Sequence, residues 1–425
     1  MFKSQNQFYS TIFRPLDVWM RLLGIQLDPF PSTALSKPRA ICLYSLSFLM
    51  FFINASSNLY FAAVSFTSPL SRSSTSEIWS KVIDFGSYNL MAIGTHAALL
   101  AIQRKPEWEL LWHNLKQLAV EEDRLFYTKC RRAITIVLVC LTADIFTVVI
   151  RAVNLIVNTG GRPLMLSLTD VISILTEIYA ISGLAVFATI GWITYIKFLQ
   201  FHNQLNPALD FNKHRNNPSS QTRTRRTSND LRRWRRTYVT LNETVSHLGE
   251  CFGPFLLIWI IYIFINFIAV SFYIVNGIRN EPIWEKVLNL VFLLVKHLVH
   301  LLLLASIPVT LQQESLNISK PLRKMRFDEP LLQRQMDTMI MEGIQSPTTM
   351  TAMDLFSVDL TLIPTVSNYL SLNFKLFGTA VSFLSRKLVG TSLTYLIILW
   401  QFQTGERQNK PQCEPISQPT VGHLQ

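Results

Sequence analysis

The stretch Phe252–Val275, FGPFLLIWIIYIFINFIAVSFYIV, runs for 24 residues without one Asp, Glu, Lys or Arg. As a helix it is about 36 Å long, enough to cross the ~30 Å hydrocarbon core of a bilayer. Five further apolar stretches of similar length flank it: Ala40–Phe66, Val82–Ile102, Ala133–Val157, Val171–Phe198 and Val287–Leu311. A shorter one, Leu388–Phe402, closes the set. The composition agrees: of 425 residues 49% are hydrophobic and only 16% charged, with a mean hydropathy of +0.27. Soluble chains carry about 25% charged residues, and 28 Phe, 12 Tyr and 9 Trp exclude disorder because they demand burial. Five Cys in the whole length are too few for a disulfide scaffold. Met1–Trp19 has scattered polar residues and no compact apolar core, so it is expected to be mature sequence rather than a leader.

Orientation follows from Lys and Arg. Thirty of the 39 fall before Ala40 and in the linkers 103–132, 197–251 and 312–387; eight fall on the opposite side, and Lys296 lies mid-span. Basic residues stay on the cytoplasmic side. The expected fold is therefore an all-α membrane protein with seven transmembrane helices, N-terminus cytoplasmic and C-terminus extracellular. That orientation opposes a G-protein-coupled receptor, and neither an Asp-Arg-Tyr after the third span nor an Asn-Pro-x-x-Tyr in the seventh is present. The organisation reads as residues 1–39, a cytoplasmic N-terminus; 40–311, six helices with cytoplasmic linkers 103–132 and 199–251; 312–387, a cytoplasmic helical anchor linker; 388–404, the seventh helix; and 405–425, an extracellular tail. Three sequons begin at Asn54, Asn242 and Asn317; the first lies in a span and the others on the inner side, so none is expected to carry sugar.

The inner linkers have helical rhythm. Pro106 opens a helix with Trp108, Leu111, Leu115 and Leu118 on one stripe, and Leu331, Leu332, Met336, Met339, Ile340 and Ile344 repeat the pattern in the 312–387 linker. Such segments suit a cytoplasmic helical bundle between subunits, or helices lying on the membrane surface. Thr222–Arg236 holds seven Arg. The positive-inside rule and attraction to anionic lipid headgroups explain them without nucleic acid, while Arg225-Arg226-Thr227-Ser228 also resembles a basophilic kinase site. No phosphate loop, His-Glu-x-x-His or paired-Cys metal signature occurs, so neither an enzyme nor a cofactor or metal is expected.

Ionisable groups at membrane depth usually face a partner or a watery cavity. Asp144 and Arg151 share one face of the third span; Asp170 and Glu177 repeat that spacing on the fourth. Tyr262, Asn266 and Tyr273 lie on the fifth, Lys296, His297 and His300 on the sixth, and Asp84 on the second. Two readings stand: an outward-facing vestibule for a small polar or amphipathic ligand, or ion pairs such as Asp144–Arg151 and Glu177–Lys296 that fix helix packing. His297 and His300, three apart, have no third metal ligand in the pattern.

In the last span, Thr391, Thr394, Ile398, Gln401 and Gly405 fall on one face, with Tyr395, Leu399 and Phe402 beside it. A small, hydroxyl-bearing face suits a conduit or a close helix contact. Facing inward in an assembly, Gln401 and Phe402 would constrict its outer mouth. Thr394-Tyr395, five apolar residues and Gln401-Phe402 resemble the Thr-Tyr-x5-Gln-Phe signature of the insect gustatory receptor family, which is similar to the insect odorant receptors. The plan is shared over the whole chain and the motif over the last span only. The resemblance implies a tetrameric ligand-gated cation channel, homomeric or formed with related receptors. In it Gln401 and Phe402 are the pore residues, Thr394 and Tyr395 the helix-packing motif, and a tastant binds among the outer parts of the middle spans; the shared helical face adds Ile398 and Thr394 as pore candidates and Thr391 as a packing one. It also implies a multi-pass protein of the plasma membrane, in a sensory-neuron dendrite, with lipids and cations as its other partners. One departure is that Arg386 and Lys387 leave only Leu388–Phe402, 15 residues or about 22 Å, for the last apolar run. A solute transporter and a metabotropic seven-helix receptor remain the alternatives.

Overall fold

The computed structural model describes residues 12–23, 90–119, 124–158, 164–213, 220–280, 284–324 and 330–345, with single positions at 25, 27, 350 and 358 and several between 42 and 63. All of the regular structure among them is helical. Helix α1 is Arg14–Leu22; a π-helical turn, Leu90–Gly94, leads into α2, Thr95–Ile102, and α3 is Pro106–Ala119. The long helices follow: α4 (Arg124–Asn158), α5 (Leu164–Lys213), α6 (Ser220–Asn280) and α7 (Trp284–Lys324), then α8 (Pro330–Gln345). Every described position between 42 and 63, within the first expected span, is also helical. The seventh expected span and the tail lie outside the described residues.

In hydrocarbon every backbone N–H and C=O must find a partner in its own segment, so long apolar runs become helices. Four helices, α4 to α7, contain stretches long and apolar enough to cross a membrane. Their hydroxyls are absorbed by the same logic: Thr135, Thr142, Thr194 and Thr310 each donate to the carbonyl four residues back, at 2.8–2.9 Å. Helix α4 turns Ile136, Val139, Phe146, Val149, Ile150 and Val153 outward, an apolar stripe that in this reading faces lipid. Helix α5 is the centre: from Tyr179 to Phe198 nearly every side chain is buried, with α4, α6 and α7 packed around it.

Two glycines of α5 permit that packing. A Cβ on Gly183 would lie 2.7 Å from the Phe255 ring and 2.9 Å from Leu99, and one on Gly191 would collide with Ile307. The ring pair Phe187–Phe252, 5.5 Å apart, sets the register. Opposite the start of the fifth apolar run, α5 still has 26 residues to go before Lys213, about 39 Å of helix. The hydropathic limit Phe198 therefore lies beyond that level. Ile190, Ile193, Phe198 and Phe201 are buried by neighbouring helices, and burial in protein has the same apolar signature as burial in lipid.

Helix α3 packs along α6. Its stripe of Trp108, Leu111, Leu115 and Leu118 is buried as its periodicity indicates, together with Trp112. Pro254 lies inside α6 and cannot bond the carbonyl of Glu250 four residues earlier. Lys105, in the α2–α3 turn, donates its Nζ to that carbonyl at 2.7 Å. Helix α8 packs on α7 through the buried Met336, leaving Leu331 and Met341 exposed. Asn242 accepts a hydrogen bond from Ser315 of α7 at 3.2 Å.

The start of the chain is more than a tether. Ile12, Phe13, Leu16 and Met20 are buried, Phe13 meets the Trp112 ring edge-on at 4.8 Å, and Trp19 Nε1 donates to Ser182 Oγ at 2.9 Å. Tyr179 donates its hydroxyl to the carbonyl of Leu23. This segment thus rises along α3 and α5 into the bundle.

Candidate functional site

Three helices bring their charges to one place. Lys296 of α7 donates to Glu177 Oε1 of α5 at 3.0 Å, and its Nζ lies 3.8 Å from Asp144 Oδ1 of α4. His300, one turn further along the same face of α7, places Nε2 at 2.8 Å from Asp144 Oδ2. The Lys296, Glu177 and His300 side chains are 9%, 12% and 6% exposed, while Asp144 retains 24%. Charges taken out of water persist only when paired and hydrogen-bonded, and this network provides both.

An aromatic wall from α6 stands beside it. Phe255 and Trp259 stack with centroids 6.1 Å apart. Trp259 meets Tyr262 and His300, each at 5.7 Å, and Tyr262 meets His297 edge-on at 5.3 Å. Among the described residues Trp259 Nε1 and His300 Nδ1 are buried without a hydrogen-bond partner, an arrangement that costs about 1–3 kcal/mol for each such atom. Asn266 donates to the carbonyl of Tyr262 on its own helix, at 3.0 Å.

Of the residues singled out in the sequence, the structure therefore joins Asp144, Glu177, Lys296 and His300, and sets Tyr262 against His297. The Glu177–Lys296 pair appears as anticipated. Asp144 takes Lys296 and His300, on another helix, as its partners; the side chain of Arg151, the alternative partner, lies outside the described residues. So do those of Tyr273 and Asp170, together with Asp84, Thr391, Thr394, Tyr395, Ile398, Gln401 and Phe402. Among the described residues no group of three His, Cys, Asp or Glu could hold a metal.

Sequence reasoning passed over a second polar cluster. His96 of α2 stacks on Tyr179 with centroids 4.0 Å apart, and its Nε2 lies 3.4 Å from Ser47 Oγ. Ser182, one turn along α5, receives Trp19. Tyr, Ser and His spaced through apolar runs resemble ordinary packing residues; the only signal was that each polar atom, once buried, needs a partner.

A bundle of membrane-length helices around a buried charge network defines a multi-pass helical membrane protein. The chain belongs to the 7tm chemosensory receptor family, whose model matches residues 14–369. The fold is similar to that of the insect olfactory receptor OR5 from Machilis hrabei, with a TM-score of 0.61 and 13% identity over 92% of this chain and 97% of that one. The complex of that receptor with eugenol gives a TM-score of 0.60, with the same identity and coverage. No curated protein matches the sequence.

Proposed function

We propose that this chain is a gustatory-type chemoreceptor acting as a ligand-gated, non-selective cation channel. A small tastant binds in an outward-facing pocket within each subunit, whose floor is the Asp144–Lys296–Glu177–His300 network and whose wall is Trp259 and Tyr262. Family membership over residues 14–369 is the observation that carries this reading, and the olfactory receptor's complex with eugenol supports a small organic ligand. The network spans α4, α5 and α7, so a ligand touching it senses the relative positions of three helices at once. Opening follows only if the ligand binds the open arrangement more tightly. Four subunits, homomeric or mixed with related receptors, place Gln401, Phe402, Ile398 and Thr394 around a shared axis, with Tyr395 and Thr391 packing the helix. The site of action is the plasma membrane.

Heterologous expression with a tastant panel and current recording tests this. Ligand-evoked cation currents are expected, with conductance or gating altered in Gln401→Ala and Phe402→Ala. Evoked currents that neither substitution changes would remove the pore assignment.

A further inference from the structure

Helix α4 has two faces. Its inner face buries Cys130, Ile134, Leu141 and Val148. By helical register Lys129, Arg131 and Arg132 fall around the opposite face, and all three are exposed. The same arc continues as Ile136, Val139, Phe146 and Ile150, exposed and apolar. Arg132 is about 6 Å along the helix from Ile136, and Ile136 to Val153 spans about 26 Å. An outward side that is apolar for nearly the thickness of the hydrocarbon core and turns basic at one end sets that end among lipid headgroups.

The cations there have no protein partner. Among the described residues neither an ion pair nor a hydrogen bond engages the side chains of Lys129, Arg131 and Arg132. The described carboxylate of α4, Asp144, meets Lys296 and His300 on the other side of the helix. The acidic run Glu121-Glu122-Asp123 comes before the helix begins at Arg124, so Arg132 stands about 12 Å further toward the apolar stripe than the helix start. The positive-inside rule explains the sign of these residues. It does not explain their grouping on the one arc that runs on into the lipid-facing stripe.

We propose that the start of α4 binds an anionic phospholipid whose headgroup carries more than one phosphate, the chemistry of the phosphorylated inositol lipids. Lys129, Arg131 and Arg132 together exceed what a singly charged headgroup neutralises, and phosphate oxygens accept paired hydrogen bonds from a guanidinium. The acyl chains lie along Ile136, Val139 and Phe146 on the same arc. Because α4 also carries Asp144, lipid held at its start steadies a helix that contributes to the buried charge network. The inference rests on α4 spanning the membrane and goes beyond the channel reading.

The test reconstitutes the full-length protein in liposomes of phosphatidylcholine, phosphatidylserine and phosphatidylinositol bisphosphate, re-extracts it in mild detergent and quantifies the retained lipids by mass spectrometry. Each Lys or Arg at a membrane surface is worth about fivefold in affinity for anionic lipid, so the bisphosphate lipid is expected to be enriched over phosphatidylserine at least about tenfold. Lys129→Gln, Arg131→Gln and Arg132→Gln together should abolish the enrichment, while Lys129→Arg, Arg131→Lys and Arg132→Lys together should keep it. Arg232→Gln with Arg236→Gln on α6 should leave it unchanged. Soluble inositol trisphosphate, which has the phosphates without the chains, should not displace the lipid at equal concentration. No enrichment, enrichment that survives loss of the α4 charges, enrichment lost with the α6 pair, or displacement by the soluble headgroup overturns the proposal. Should the triple Gln variant fail to fold, Arg132→Gln alone decides it: a loss of about fivefold is expected, and no change overturns it. Because the readout needs neither tastant nor current, lipid enrichment without evoked current sinks the channel reading alone. Evoked currents from a protein that shows no enrichment sink this inference alone.

Discussion

Lys296 is the residue on which the buried network turns, because it touches both carboxylates. Removing one member of a buried ion pair leaves an uncompensated charge, typically at about 3–5 kcal/mol. Lys296→Met is therefore expected to lower stability by roughly that amount, read as a fall in the thermal unfolding midpoint. Adding Glu177→Gln to that chain should restore part of the loss; a purely additive double variant would show that the two side chains do not interact. The network was partly legible in the sequence. Asp144, Glu177, Lys296 and His300 stood out because charge within apolar runs is rare, and the Glu177–Lys296 pair was among the pairings considered. The partner of Asp144 was not legible, since spacing along one helix shows which residues share a face but not which face a neighbouring helix presents. Trp259 was hidden for a different reason: in FGPFLLIWIIYIFINF an indole looks like any other core ring, and only its unpaired N–H marks it.

Helices show the same division. The apolar runs located α4 to α7, and the rhythm from Pro106 located α3 and its buried stripe. Their extent was less legible, because α5 continues past the level of Phe252 with residues as apolar as those in lipid. The docked start of the chain, with Phe13, Leu16 and Met20 at helical spacing, went unread as a helix because it is short and interrupted by Arg14, Asp17 and Arg21. The basic stretch lies within the long helix α6. Arg232, Arg233, Arg235 and Arg236 are exposed, yet they precede Phe252 by 16–20 residues, about 24–30 Å of helix. The Pro254 turn of α6 gives the test at this scale. Lys105→Met should cost about 1 kcal/mol, since it leaves the Glu250 carbonyl without its donor. In a Pro254→Ala chain, where residue 254 regains its N–H, the same substitution should cost almost nothing. An equal cost in both backgrounds, measured by thermal unfolding, would show that Lys105 acts elsewhere.

For the whole molecule, the asymmetry of Lys and Arg predicts the orientation. Epitope tags at either end are expected to be reached by antibody on intact cells only at the C-terminus, with Asn242 unglycosylated; surface labelling of an N-terminal tag, or sugar on Asn242, would invert the arrangement. The helical plan was within reach of the sequence because membrane topology is written in hydropathy and charge, and the family because Thr394-Tyr395 and Gln401-Phe402 resemble its signature. The ligand was not, because it depends on how four helices converge. The most direct test of the central claim is recording from excised inside-out patches in nucleotide-free solution, with an activating ligand in the pipette. The account predicts unitary cation currents that persist in the bare patch, with conductance or open time shifted by Gln401→Ala or Phe402→Ala. Currents that vanish on excision and return only with cytosolic factors would contradict it.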